Sequence, residues 1–93
     1  MVNMLKISGV RGTITAGGRL AARLLTWRHE GTETQSTTTA TASEVNDFLL
    51  ENASGLVLSL PVGRGRWTWR DVTVSRGGND MTITGRGRPE RRA

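Results

Sequence analysis

Few side chains in this sequence have the type and spacing that catalysis requires. His29 is the only histidine, and it lies between Arg28 and Glu30 with no nucleophile at a recognisable spacing. A Ser or Thr nucleophile needs a base within hydrogen-bond reach, so a lone imidazole in this setting is better explained as an ordinary surface or strand residue. We therefore predict that the protein is not an enzyme, that it needs no cofactor and that it has no small-molecule substrate.

The acidic and glycine-rich segments do not suggest a metal or phosphate site either. Glu44, Asp47 and Glu51 share one flank of a predicted helix, and a solvated helix face explains them best. The segment Gly63-Arg64-Gly65 lacks the Lys-Ser/Thr pair that holds phosphate and magnesium in a phosphate-binding loop. The chain has no cysteine, which excludes disulfides and thiolate zinc sites.

Arginine dominates the charge of the chain. The formal net charge is +5, and Lys6 is the only lysine among the 13 cationic residues. The guanidinium group pairs bidentately with carboxylates and phosphates and stacks on aromatic rings, which favours protein interfaces and nucleic acid. A GC-rich genome, in which Arg codons are common, would explain the same bias.

The densest arrangement of such groups is the segment Arg66-Trp67-Thr68-Trp69-Arg70. On an exposed strand, Trp67 and Trp69 could stack on bases while Arg66 and Arg70 pair with phosphates. The alternative is that both indoles belong to the core, because the sequence offers only one Phe and no Tyr. Burying an indole is worth roughly 3 kcal/mol, so we favour the core, and nucleic-acid binding through these four residues stays the alternative function.

The N-terminal part of the chain has the alternation of strands. Residues 4–15 predict a strand or strand pair, and Ala16-Gly17-Gly18 predicts a hairpin turn. Residues 19–30 fit both a strand and a helix, and the preceding Gly-Gly turn favours a strand with a bulge near Leu24–Leu25.

The middle of the chain predicts one loose segment and one helix. Residues 32–41 are rich in Thr and Ser and carry no apolar side chain larger than Ala40, so we expect a solvated edge strand or a mobile loop outside the core. Residues 42–53 predict the single helix: Thr41 and Glu44 have the spacing of a capping box, and an apolar stripe should face a sheet. The residues of that stripe are Val45, Phe48 and Leu49.

Residues 56–88 predict a three-stranded antiparallel meander. Apolar side chains alternate in Leu56–Val62, at Trp67 and Trp69, and at Met81 and Ile83, with glycine-rich turns between them. The alternation changes phase within the middle strand, which predicts either a bulge at Arg70–Asp71 or a strand covered on both faces.

Together these segments predict a mainly β fold: an antiparallel β-sandwich or small barrel with one short α-helix at about residues 42–53. The length fits one domain, residues 1–88, followed by a basic tail, residues 89–93, that should be disordered by itself. No apolar segment is long enough for a signal peptide or for a membrane span of about 20 residues, so we expect a soluble, intracellular protein without a membrane partner.

The order of these features resembles the tail-tube subunits of tailed bacteriophages and related small virion proteins. The resemblance starts with Gly12-Thr13-Ile14-Thr15, a Gly-Gly turn and the segment Leu20–Trp27. It continues with a helix and three strands, Leu56–Val62, Arg66–Arg76 and Met81–Gly85. It implies two packed sheets flanking one helix, stacked rings of subunits, and arms that join neighbours.

A structural role in a virion follows from the resemblance. The chain is short for a tube subunit and basic, whereas a lumen along which DNA slides should be negative, so a connector or minor head or tail component fits the charge at least as well. Several predicted strands carry apolar groups on both faces, more than one short helix can cover, which favours a homo-oligomer docked on other virion proteins. We predict that Arg64, Arg66, Arg70 and Arg76 pair with carboxylates of neighbouring subunits.

Overall fold

A computed structural model describes residues 4–32 and 34–92, and these residues form a mainly β fold with one short helix. All eight strands belong to one antiparallel sheet in the order β6-β7-β3-β2-β1-β4-β5-β8, which is not closed into a barrel. The elements are β1 (Leu5–Ala16), β2 (Arg19–Gly31), β3 (Gln35–Val45), α1 (Asp47–Asn52), β4 (Leu56–Val62), β5 (Gly65–Trp69), β6 (Thr73–Gly77), β7 (Asp80–Arg86) and β8 (Glu90–Arg92).

Three two-residue turns build the sheet from hairpins. They join β1 to β2 at Gly17-Gly18, β4 to β5 at Gly63-Arg64, and β6 to β7 at Gly78-Asn79. The first residue of each turn has φ between 57° and 64°, as in the primed turns whose twist matches that of the flanking strands. The predicted turn at Gly17-Gly18 is confirmed.

Short connections force the sheet to fold over on itself. Strands β5 and β6 are six positions apart in the strand order, which is about 29 Å in a flat sheet. The three residues between them, 70–72, span at most about 14 Å. The two halves of the sheet therefore face each other across a shared core, and the radius of gyration of 12.2 Å is that of a compact chain.

A sharp bend connects the two halves. Asp71 has φ 54°, and the next residue, Val72, still donates a backbone hydrogen bond to Leu56 at the start of β4 (3.0 Å). The chain thus leaves β4 after Val72 and pairs with β7 from Thr73 onwards, as strands do at the corners of folded sheets. The phase change at Arg70–Asp71 is therefore neither the predicted bulge nor a strand covered on both faces: it is this bend, which separates β5 from β6.

The predicted three-stranded meander over residues 56–88 is wrong. The segment forms two hairpins, β4–β5 and β6–β7, which lie in different halves of the sheet. Strand β7 pairs with β3, and β5 pairs with β8. Alternation of apolar residues predicted β4 and β7, but it merged β5 and β6 into one strand, and it does not specify which neighbour each strand pairs with.

Residues 19–30 form a strand, as predicted, and the bulge near Leu24–Leu25 is confirmed. The register between β2 and β3 shifts on both sides of Leu24. Opposite this point in β1, Arg11 has φ 64°. Leu25 turns outward at the bulge and is exposed.

The Thr-rich segment is not the edge strand or mobile loop that its composition predicts. Strand β3 lies between β2 and β7, and its inward positions are buried, including Ser36, Thr38 and Ala40. Small side chains are tolerated there because large rings from β2 and β5 fill the space above the sheet, and Thr38 is hydrogen-bonded to the ring of His29. Glu33, part of the same prediction, lies outside the described residues.

The helix is shorter than predicted and begins later. Residues up to Val45 belong to β3, so the Thr41/Glu44 capping box is wrong; the N-cap is Asn46, whose side-chain oxygen accepts from the Leu49 backbone N–H (3.2 Å). Leu49 is buried as predicted, whereas Phe48 points to solvent. Within the described residues, no helix is long and apolar enough to span a membrane.

The basic tail predicted to be disordered contains a strand. Residues Glu90–Arg92 form β8, which pairs with β5 at one edge of the sheet. The segment carries no large apolar side chain, and backbone pairing together with a contact between Arg91 and Trp67 holds it instead.

Candidate functional site

Two of the four arginines predicted to join subunits, one in β5 and one directly after it, have partners in the neighbouring strands β4 and β8. Arg66 donates from Nη1 to Oγ of Ser59 (3.1 Å). Arg70 donates from Nε to the Glu90 carboxylate (3.1 Å), which ties β5 to β8 and lowers the pKa of Glu90 through that hydrogen bond and its charge. Both arginines are exposed, so these contacts leave them accessible to a partner.

The other two lie at turns. Arg64 is exposed in the β4–β5 turn. Arg76 is an ion-pair partner of Asp47, which joins β6 to α1, and its Nε donates to the Gly78 carbonyl (2.7 Å). The structure therefore does not bring the four predicted arginines together. Arg66 lies on β5 and Arg70 directly follows it, whereas Arg76 lies on β6 and Arg64 in a turn.

The two tryptophans of β5 differ in environment. Trp69 is 2% exposed and its ring packs in the core, so it does not form an exposed stacking platform. Trp67 is half-buried, and the guanidinium of Arg91 lies 4.2 Å from its ring centre. The two rings meet edge to face at 6.2 Å. The core interpretation holds for Trp69, whereas Trp67 forms part of a surface.

Strands β5 and β8 form a strongly basic edge of the sheet. Register places Arg66 directly opposite Arg92 and Trp67 opposite Arg91. Like charges directly opposite each other destabilise strand pairing, so an anion bound here would relieve the repulsion. We call Arg66, Trp67, Arg91 and Arg92 the basic edge. Sequence analysis missed it because the register with β8 is not visible in the sequence.

His29 is a core residue. It is 2% exposed, its Nδ1 is hydrogen-bonded to Oγ1 of Thr38 (2.9 Å), and its ring lies 4.5 Å from the ring of Trp69. Burial lowers the pKa of His29, because the interior disfavours the charged imidazolium. These contacts give the imidazole a structural role.

The opposite edge of the sheet combines an unpaired strand with an exposed aromatic ring. Within the described part of the chain, β6 has a neighbour on one side only. Helix α1 lies beside it, linked by the Asp47–Arg76 ion pair, and carries Phe48, which is 70% exposed. We call β6 together with Phe48 the β6 surface.

Residues 4–32 and 34–92 contain no group of three or more His, Asp or Glu residues placed to hold a metal ion. Comparison of the chain with protein-family models, with curated proteins and with solved structures finds no match in any of the three.

Proposed function

We propose that this protein is a structural, non-enzymatic subunit that associates with copies of itself through the β6 surface. The observation that carries the proposal is the unpaired β6 edge. Phe48, which is 70% exposed, lies on the helix that the Asp47–Arg76 ion pair links to this strand. An unpaired edge presents a row of free backbone donors and acceptors, and an exposed aromatic ring gains free energy when a partner covers it.

The side chains of the edge offer little protection against pairing. Its five residues include no proline and one charge, Arg76, which Asp47 of the same chain already pairs. Two copies related by a twofold axis can add β6 to β6 in antiparallel fashion, because an isologous contact uses the same surface on both subunits. The two sheets would then form one continuous sheet, and the partner subunit would cover each Phe48 ring.

A place in a bacteriophage virion remains the specific form of this proposal. Its support is the pattern described above, a mainly β chain with one short helix, together with the self-complementary edge. In that setting Arg64, Arg66 and Arg70, all exposed, would contact carboxylates of neighbouring virion proteins.

Sedimentation velocity over a range of protein concentrations tests the association. We expect the sedimentation coefficient to rise with concentration, and we expect Ser75→Lys, which adds a charge to the β6 edge, to keep the protein monomeric. Ser54→Lys adds the same charge in an exposed loop and should associate like the wild type. Phe48→Ser should weaken association by about tenfold, whereas Leu25→Ser, at an exposed apolar residue three strands away, should not. A wild-type protein that stays monomeric at every concentration would refute the proposal.

Nucleic-acid binding is the second candidate, favoured by the basic edge. The Arg66–Arg92 pair lies on one face of the two strands, and the half-exposed Trp67 with Arg91 lies on the other, so a strand that wraps around this edge would meet cations and one aromatic ring. Phosphates would relieve the repulsion between the two arginines, and a base could replace Arg91 on the indole. Trp69 and Arg70 were the other two residues of the nucleic-acid hypothesis drawn from the sequence. Trp69 is enclosed in the core and makes no contact in this binding mode.

Fluorescence titration with single-stranded DNA at several salt concentrations tests the second candidate. If two arginines pair with phosphates, a plot of the logarithm of the binding constant against the logarithm of the salt concentration should have a slope of about −1.4. Arg92→Gln should make this slope shallower. Binding that ignores salt, or that Arg92→Gln leaves unchanged, would exclude the basic edge.

A further inference from the structure

A cleft lies at the end of the folded sheet where β1 begins and β2 ends. It has a volume of about 540 Å³ and lies between the end of β2, the start of β3, the end of β5 and the segment that leads into β8. Clefts of this size in the mouths of β-barrels and folded sheets are common sites for small ligands. Its walls are both apolar and cationic: Leu5, Trp69 and Pro89 provide apolar surface, and Arg88 and Arg91 provide charge.

Trp69, which lines the cleft, carries an unused hydrogen-bond donor. Nε1 of Trp69 is buried without a partner, and it is the one buried side-chain nitrogen or oxygen atom of the described residues in that state. The other two indoles differ: Nε1 of Trp27 donates to the Arg11 carbonyl (2.7 Å), and Trp67 is half-buried beneath Arg91. A buried N–H without an acceptor is costly, and native structures usually contain a reason for one.

The part of the cleft next to Trp69 is neutral. His29 lines the cleft, and burial disfavours its charged form, so the positive charge of the cleft comes from the two arginines towards its entrance. A ligand that fits has an apolar, flat body for the inner wall and an anionic group for the guanidiniums.

We propose that this cleft binds a small organic anion, an aromatic carboxylate or a compound of the same class. The carboxylate pairs with Arg88 and Arg91, the ring packs against Trp69 and Leu5, and an acceptor atom of the ligand reaches the Trp69 N–H after a small local adjustment. The protein binds this compound without transforming it, so the proposal adds a ligand to the non-enzymatic role. It does not depend on self-association, because the cleft and the β6 surface use different residues.

Indole N–H resonances of ¹⁵N-labelled protein report on the cleft directly. We expect titration with 2-naphthoate to move the Trp69 resonance downfield in a saturable manner, as a new hydrogen bond requires, while the Trp27 resonance stays in place because its N–H already has an acceptor. The neutral analogue 2-naphthalenemethanol should leave the Trp69 resonance in place at the same concentrations. An unchanged Trp69 resonance at about 10 mM naphthoate, or an equal shift with the neutral analogue, would overturn the proposal.

Two variants test the roles of the residues. Arg91→Gln should weaken binding by about tenfold through loss of a charge-assisted contact. Arg64→Gln removes an exposed charge in the β4–β5 turn, at the opposite end of β5 from the cleft, and should change the affinity by less than about twofold. Trp69→Phe keeps an aromatic ring and removes the N–H, and ligand-detected NMR should show binding at least about threefold weaker, with the Trp27 resonance confirming that the variant is folded. Equal losses in the Arg64 and Arg91 variants would mean that the anion responds to net charge alone and would refute the cleft as its site.

Discussion

Gly9 offers the sharpest test of how the core is packed. It lies opposite Trp27 in the β1–β2 pairing, and the indole ring lies across it: a Cβ atom added at Gly9 would be 2.5 Å from Cζ2 of that ring. Carbon atoms in contact are normally about 3.5–4.0 Å apart, so Gly9→Ala requires the ring to retreat by about 1 Å. The ring cannot retreat freely, because it is 3% exposed and Nε1 is hydrogen-bonded to the Arg11 carbonyl.

The expected cost follows from these contacts. Overpacking costs about 1–3 kcal/mol, and loss of the indole hydrogen bond costs about 1 kcal/mol more. We therefore expect Gly9→Ala to lower the free energy of unfolding by about 2–4 kcal/mol, a large share of the roughly 5–14 kcal/mol typical of a chain of this length.

Urea denaturation followed by tryptophan fluorescence and circular dichroism measures this change. Gly77→Ala is the matched control, since a Cβ there meets no atom within 4 Å, and it should change stability by less than about 0.5 kcal/mol. In a Trp27→Phe background the penalty of Gly9→Ala should fall by at least about 1 kcal/mol, because the smaller ring leaves room. A Gly9→Ala protein as stable as the wild type would show that the indole does not lie over Gly9.

Three further predictions concern charge and burial. Burial lowers the pKa of His29 below its ordinary 6.5, so the unfolded state binds more protons in acid, and the free energy of unfolding should fall as the pH drops from about 6.5 through the folded-state pKa. Urea titrations at several pH values measure this slope. His29→Gln should remove the slope, and an unchanged slope would exclude His29 as its cause. Thr38→Val removes the hydroxyl bound to the buried imidazole and should lower stability by about 1–3 kcal/mol. Thr39→Val on the exposed face should lower it by less than about 0.5 kcal/mol, and equal losses in thermal denaturation would contradict the buried hydrogen bond. Arg92→Glu converts the like-charge pair with Arg66 into an attractive pair and should slow amide hydrogen exchange in β8, while faster exchange would contradict the register of β5 and β8.

Local signals in the sequence specify much of the secondary structure of this chain. Alternating apolar residues and turn glycines predict β1, β2, β4 and the hairpin at Gly17-Gly18, and the change of phase near Leu24 predicts the bulge. These signals act over a few residues and do not depend on which strand is the neighbour. The position of the β6–β7 hairpin beside β3, at the other edge from β8, is determined by the folded core, which is why the meander prediction fails.

The remaining errors arise where a core uses polar or small residues. Counting apolar side chains places β3 outside the core, whereas Thr38 is fully buried because its hydroxyl is satisfied by His29. The helix prediction relies on a capping box that strand pairing overrides, although Asn46, a favourable N-cap residue followed by Asp47 in the first turn, marks the true start.

The candidate sites were only partly predictable. The sequence identifies Arg66 and Trp67 as a possible interaction surface but does not show that Arg91 and Arg92 lie beside them, since that depends on the pairing of β8 with β5. The cleft beside Trp69 depends on the folding of the sheet and has no signature along the chain.

Amide hydrogen exchange in β6 tests the proposed association most directly. In an antiparallel pair closed by the two-residue turn Gly78-Asn79, the N–H groups of Val74 and Arg76 point away from β7, towards the unpaired edge. If copies of the chain pair through this edge, exchange at these two amides should slow as protein concentration rises, while the amide of Ser54 in an exposed loop should not change. Exchange at Val74 and Arg76 that is equally fast at every concentration would contradict the account.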